Sequence, residues 1–465
     1  MAAMRRTPAL LTVLLLGLAA SLVSRDPQTD PRLKKAGRLP ARNGWVQVHL
    51  EGSPGEIGFQ HGYLLAPEIE DTRKDVAAEM LHDEKRDWDF YRKAAREVFW
   101  PHVEREYRDE IAGIVEGLQA RRSKLDVWDV VALNAWLEAP YYGKTIGTAP
   151  ASAGPAEHCS AFAATGSYTR DGRVVIGHNN WTSYPSGVRW NIVFDIVPQR
   201  GNHILMDGMA GLIHSGDDFG VNSAGIVITE TTISGFTGFD PEGVPEFVRA
   251  RKAMQYANSI DDFARLMKDG NNGGYANNWL VADRKTNEVA SLELGLKNVI
   301  LQRTLDGFFV GANFPADAKL TKEETNYDPN DRSLGSNARH ERWLALMEQY
   351  KGRIDMAAGE KFLGDHYDSF EGKNDPDERT LCSHIDLSPR GAPPWQPPYA
   401  PAGAVQNKIT DAAGAEKMSF EAALGHACGL NFKAAAHLAK HPEFAWMKDI
   451  LRNMDARPWT RLAPR

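Results

Sequence analysis

The sequence predicts a layered α+β fold, with sheets inside and helix groups on both sides of them. Three observations carry that expectation. Residues 54–126 mix polar and apolar positions at helical spacing and contain few glycines. From Cys159 the pattern changes to short runs rich in β-branched and aromatic residues. Helical spacing then returns near 337–351 and 355–363.

Taken in order, the chain opens with Arg5 and Arg6, an apolar run from Ala9 to Val23, and small residues around it. That layout predicts a signal peptide over residues 1–24, cut between Ala20 and Ser24. The alternative is an uncleaved anchor, but the run is short of the roughly 20 apolar residues a bilayer needs. The mature protein is therefore expected outside the cytoplasm, whether periplasmic, secreted or lumenal. A polar linker over 25–42 follows. "GWVQVHLEG" reads as a strand, Ser53-Pro54-Gly55 as a turn, and the next stretch as helices. "YYGKTIGTAPASAGPAEH" breaks the helical pattern and reads as an exposed loop open to nicking.

Beyond that loop, "CSAFAATGSYT", "RVVIGHNNW", "WNIVFDIVP" and "GIVITETTI" read as strands. Asp171-Gly172 suits a hairpin turn between the first two. Helices are expected near 246–258 and 260–269, and a second strand group in "NNWLVADRKTNEVASLELGLKNVILQR". The proline-rich 388–404 reads as a stiff connector. Two parts result: a mostly helical one over 43–158 and a strand-rich one over 159–465.

Composition narrows the function. Hydrophobic content of 42% and charged content of 25% are those of an ordinary globular chain. A formal net charge of −7 argues against nucleic acid as a partner. There is no Gly-x-Ser-x-Gly elbow, "VNSAG" being a near miss, and no phosphate-binding glycine loop or Cys-x-x-Cys pair. "HLAKH" spaces two histidines by one helical turn, but neither the glutamate of zinc proteases nor a third ligand accompanies them. No cofactor and no metal are expected.

The chain has three cysteines, Cys159, Cys382 and Cys428. An odd count in an exported protein suggests a free reactive thiol. Either Cys382 pairs with Cys428 and leaves Cys159 alone, or all three are reduced. Cys159 follows a loop and starts a strand. Cutting the bond after His158 would give it an α-amino group, whose pKa of about 7.7–8 suits a base near neutrality. One residue would then supply both nucleophile and base.

"HCSAF", "GHNNWTSY", "GDDFGVNSAGIVITETT", "YANNWLVAD" and "GAVQNKIT", in that order, resemble the phospholipase B-like family of N-terminal-nucleophile hydrolases. "GSPGEIGFQHG" and "NNWLVAD" are also similar to cysteine acyltransferases of the penicillin-acyltransferase type. The resemblance implies an αββα sandwich with the nucleophile at a strand's first residue. It also implies acyl esters of glycerophospholipids, or acyl amides, as substrates, met at a membrane surface only transiently.

Reading the matched positions physically gives roles. Cys159 is the nucleophile, and His178 orients the amine or binds substrate. Either Asn277 or Asn278 supplies an oxyanion donor, the two lying on opposite faces of one strand. Asn180, Trp181, Asp217, Asp218 and Arg339 are expected to bind substrate. A two-residue hairpin would set Cys159 opposite Tyr184, and a bulge at Gly166-Ser167 would slide it toward Trp181. The expected function is acyl hydrolysis after autocleavage at His158/Cys159. Two alternatives stand beside it: an acyltransferase or amidase on small N-acyl compounds, and a catalytically silent lipid-binding protein.

Overall fold

The computed structural model describes residues 30–145, 159–216 and 218–465. The expected signal peptide, the His158 side of the expected cleavage site and Asp217 lie outside those residues. Among the described residues, no helix is long and apolar enough to cross a membrane.

Two sheets form the centre. The larger has nine strands among the described residues. In spatial order they are Gly37–Arg38, Val46–Gly52, Ile192–Pro198, Ile204–Gly208, Phe219–Asn222, Ile226–Thr232, Asn277–Asp283, Glu288–Leu294 and Val299–Thr304. Only Val46–Gly52 and Ile192–Pro198 pair in parallel; the other neighbours are antiparallel. The smaller sheet has six among the described residues, in the order Gly307–Gly311, Ser160–Thr165, Val175–Ser183, Ala402–Asp411, Phe420–Leu424 and Thr460–Leu462.

Strand alternation sends each sheet's apolar residues to two layers. Ala161, Ala163 and Ile176 of the smaller sheet meet Val193, Leu205 and Leu280 of the larger one in a core between them. The outer face of the larger sheet, with Phe194, Met206, Ile228 and Trp279, packs under the helices of residues 54–145. The opposite outer face, with Phe162 and Ala164, packs on Trp343 and Phe362 from helices Gly335–Gln349 and Met356–Leu363. Helix, sheet, sheet and helix are thus stacked in four layers, the αββα arrangement expected.

Helices Pro54–Leu64 and Arg105–Ala120 show how the outer helical layer closes. Gly58 and Gly62 on one face Gly113 and Gly117 on the other. A Cβ at Gly58 would lie 1.9 Å from the Glu110 carbonyl oxygen, and one at Gly117 2.3 Å from that of Phe59. Only glycine permits this approach.

Three expectations are corrected. Residues 30–42 are not a free linker from Asp30 onward: Pro31–Lys35 forms a 3-10 helix, and Gly37–Arg38 pairs with Val46–Gly52 as an edge strand. Strands Ile204–Gly208 and Phe219–Asn222 escaped the sequence reading because they are short and surrounded by glycines. The proline-rich connector ends early, since Ala402–Asp411 is a central strand.

Candidate active site

The strand that begins at Ser160 places Cys159 at the end of the smaller sheet, 3% exposed. Ser160 pairs with Asn179 and Ala161 with His178, so Cys159 comes opposite Asn180 rather than Tyr184 or Trp181. The cause is the turn. Instead of a two-residue hairpin, a 3-10 turn at Gly166–Tyr168 begins a longer loop, with Gly166 N–H bonded to the Gly172 carbonyl at 3.2 Å. The added turn moves the returning strand past both expected registers.

Polar side chains grip the Cys159 backbone from two sides. Its N–H donates to Asn313 Oδ1 at 3.0 Å. Its carbonyl accepts from Arg339 at 2.6 Å, and Arg339 also donates to Ser160 Oγ at 3.0 Å and to Asn313 Oδ1 at 2.9 Å. Asn313 adopts φ +61°, a left-handed conformation asparagine tolerates, and donates to the Thr232 carbonyl at 2.9 Å. The Arg339 guanidinium lies 4.0 Å above the Trp181 ring. Burial pushes that guanidinium down to about 9, so it remains a cation at neutral pH. Arg339, expected to hold a substrate anion, is instead turned onto the candidate nucleophile's backbone.

The thiol lies 4.0 Å from Glu230 Oε1, which also accepts from the Tyr275 hydroxyl at 3.3 Å. Asn277 and Asn278 open the strand Asn277–Asp283 and so point to opposite faces. Asn278 shares its face with Leu280 of the inter-sheet core, the face to which Cys159 also alternates through Ala161 and Ala163. Its Oδ1 accepts from Ser291 Oγ at 2.6 Å. Asn277 lies opposite Thr232 and is fully buried.

His178, Asn180 and Asp218 come together one step inward. His178 Nδ1 lies 2.7 Å from Asp218 Oδ1. Asn180, Gln406 and Lys408 all donate to Asp218 Oδ2, at 3.0, 2.8 and 2.5 Å. Lys408 also lies 3.3 Å from Asp207. Burial would raise the Asp218 carboxyl, but the Lys408 and His178 charges outweigh it and hold the group below the carboxylate range. Burial and the Asp218 charge push the Asp207 carboxyl well up. Burial pushes the His178 imidazole down, against the pull of the Asp218 charge. Asn180 and Asp218, expected to bind substrate, are therefore committed to one another beneath the site.

Sequence reasoning missed Asn313, Glu230, Lys408 and Asp207. Glu230 had a signal, an acid set among β-branched residues in "GIVITETTI". Beside Arg339 and Trp181 lies a cavity of 130 Å³, walled also by Leu334, Ala392, Pro393 and Trp395.

Comparison with known proteins adds ancestry. A relative from Archaeoglobus fulgidus, described as an uncharacterized protein, is 27% identical over 60% of this chain and 48% of its own length. The rat protein described as putative phospholipase B-like 2 is 25% identical over 60% of this chain and 54% of its own. The chain thus spans about half the length of these relatives. Among solved structures, a mutant of the conjugated bile acid hydrolase from Clostridium perfringens aligns at a TM-score of 0.31 and 10% identity, covering 57% of this chain and 88% of that one. The family model described as Phospholipase B matches residues 70–363, well over half of the chain, and the protein belongs to that family.

Proposed function

We propose that this protein is a cysteine N-terminal-nucleophile hydrolase that removes acyl groups from glycerophospholipids or related lipid amides. It is exported, and it is activated by cleavage between His158 and Cys159. The observation that carries this reading is the hold on Cys159. Its backbone is clamped by Asn313 and Arg339 at a strand's start, while its thiol lies 4.0 Å from Glu230 Oε1.

In this reading, cleavage turns the Cys159 N–H into an α-amine that stays on Asn313 Oδ1. That bond aims the amine's lone pair at the thiol. The amine takes the thiol proton, and Sγ attacks the acyl carbon. Asn278, with its carbonyl fixed by Ser291, turns its amide N–H toward the resulting oxyanion. The ammonium then gives its proton to the leaving oxygen or nitrogen. Water attacks the thioester with the amine as base, releasing the acid and restoring the thiol. Arg339 touches no reacting atom and acts as a positioning residue, with the 130 Å³ cavity beside it receiving part of the substrate.

Cys159→Ala is expected to stay uncleaved and to release no fatty acid from phospholipid or N-acyl amide vesicles. Cys382→Ala and Cys428→Ala should retain the activity whenever they fold. Wild-type turnover by Cys159→Ala would overturn the mechanism.

A further inference from the structure

Away from Cys159, four side chains from three separate loops converge on one point. His366 follows helix Met356–Leu363, Cys382 and His384 precede strand Ala402–Asp411, and Cys428 follows strand Phe420–Leu424. Their ligand atoms all lie within 4.8 Å of one another. We propose that these residues bind a structural zinc ion in a closed Cys2His2 site. The sequence reading expected no metal, because the ligands show none of the close spacing that marks a zinc motif.

The distances carry the proposal. Zn–S bonds of about 2.3 Å and Zn–N bonds of about 2.0–2.1 Å require tetrahedral edges of about 3.5 Å for S–N and about 3.3 Å for N–N. His366 Nε2 lies 3.2 Å from His384 Nε2. The Cys382 and Cys428 sulfurs lie 3.7 and 3.4 Å from the same His384 nitrogen. These three match the edges that meet at one corner of a zinc tetrahedron, and the remaining ligand atoms lie within 4.8 Å of one another. A mixed thiolate and imidazole set of four is zinc chemistry, and with four protein ligands the site leaves no position for substrate.

Chain order offers a disulfide as the other use of the two cysteines, yet Cys382 and Cys428 are not joined by one. A disulfide would also leave unexplained why the His384 nitrogen lies against both sulfurs, with the His366 nitrogen beside it. Behind His384, its Nδ1 faces Asp386 at 4.0 Å, and Asp386 accepts from the Tyr184 hydroxyl at 2.6 Å. A carboxylate behind a metal-bound imidazole is the usual outer support of such a ligand. Binding releases the two thiol protons to solvent, and the two thiolates neutralise the ion.

The site would clip loops that already hold the central strand of the smaller sheet. Asn179 donates to the carbonyls of Leu363 and Leu381, each at 2.8 Å, and Cys382 N–H donates to the Asp365 carbonyl at 3.0 Å. Zinc would therefore fix the strand next to Asn180, opposite Cys159, without touching substrate.

The test uses the full chain purified without chelator, with metal measured by mass spectrometry of the elements. The expected result is one zinc per chain. Cys382 and Cys428 should resist a thiol reagent until a chelator is added. Cobalt(II) exchanged into the site should give the absorption of a tetrahedral thiolate complex. Cys382→Ser with Cys428→Ser should abolish metal binding, and His366→Asn should weaken it roughly 10–100-fold or more. The proposal is overturned if the reduced wild-type chain, supplied with zinc(II), retains none after desalting. A Cys382–Cys428 disulfide in the freshly isolated protein would overturn it equally. Both measurements use the wild-type chain, so variants that fail to fold leave the decision intact.

Discussion

Two polar clusters flank the strand Val175–Ser183, and they are completed in different ways. Between the sheets, Asp218, Asp207, Lys408 and His178 pair with one another: Lys408 lies against both carboxyls, and the His178 ring against Asp218. On the other side, His366, Cys382, His384 and Cys428 bring four donor groups to one point. The first cluster carries its own counter-charge, and the second is shaped for a cation from outside. A buried group must be paired or it destabilises the fold, so how a cluster is completed indicates its role.

The largest effect that would sharpen this contrast is expected at Lys408. Lys408→Met leaves Asp218 buried without its cation, and losing one partner of a buried pair typically lowers stability by about 3–5 kcal/mol. Urea unfolding measures this, and adding Asp218→Asn should recover part of it. A chelator should leave this cluster unaffected while lowering the melting temperature through the Cys2His2 set. Equal chelator sensitivity in wild type and in Cys382→Ser with Cys428→Ser would erase the distinction.

Next is the oxyanion donor. Asn278→Ala should reduce turnover of the cleaved enzyme about 10²–10³-fold, as removal of one such donor usually does. Asn277→Ala, on the opposite face, should leave turnover within a few-fold. The reverse order would assign the donor to Asn277, and two mild effects would give the role to backbone amides.

A smaller effect concerns a histidine that no partner charge supports. His61 Nε2 accepts from Gly211 N–H at 3.0 Å, and burial pushes its pKa down to about 3 from 6.5. Because the folded value is depressed, the stability is present above the unfolded pKa and is lost as pH falls. The loss should be about 1.4 kcal/mol per pH unit below about 6.5, or about 2 kcal/mol by pH 5. Unfolding midpoints across that range, compared with those of His61→Gln, isolate this slope. An unchanged slope in the variant would place the acid sensitivity elsewhere.

The sequence made some of this legible. Cys159 stood out because a Gly/Pro-rich loop gives way there to a β-branched run, a local change that reading along the chain detects. The layer order followed from helical and strand periodicities in long segments. What escaped depended on distant parts meeting. The register of Asn180 against Cys159 was set by a 3-10 turn at Gly166–Tyr168, and one residue of slippage reverses every face. Arg339 sits on an amphipathic helix, where arginine usually meets solvent, yet it is buried against Cys159. The four zinc donors come from loops that only the smaller sheet brings together.

The central claim is that Cys159 works as a chain's first residue, and the most direct measurement is N-terminal sequencing of an active preparation. The expected result is a fragment beginning Cys-Ser-Ala-Phe, held to its partner until denaturation, with its appearance tracking the rise of acyl hydrolysis. Full activity in a chain that remains continuous across residues 158 and 159 would contradict it.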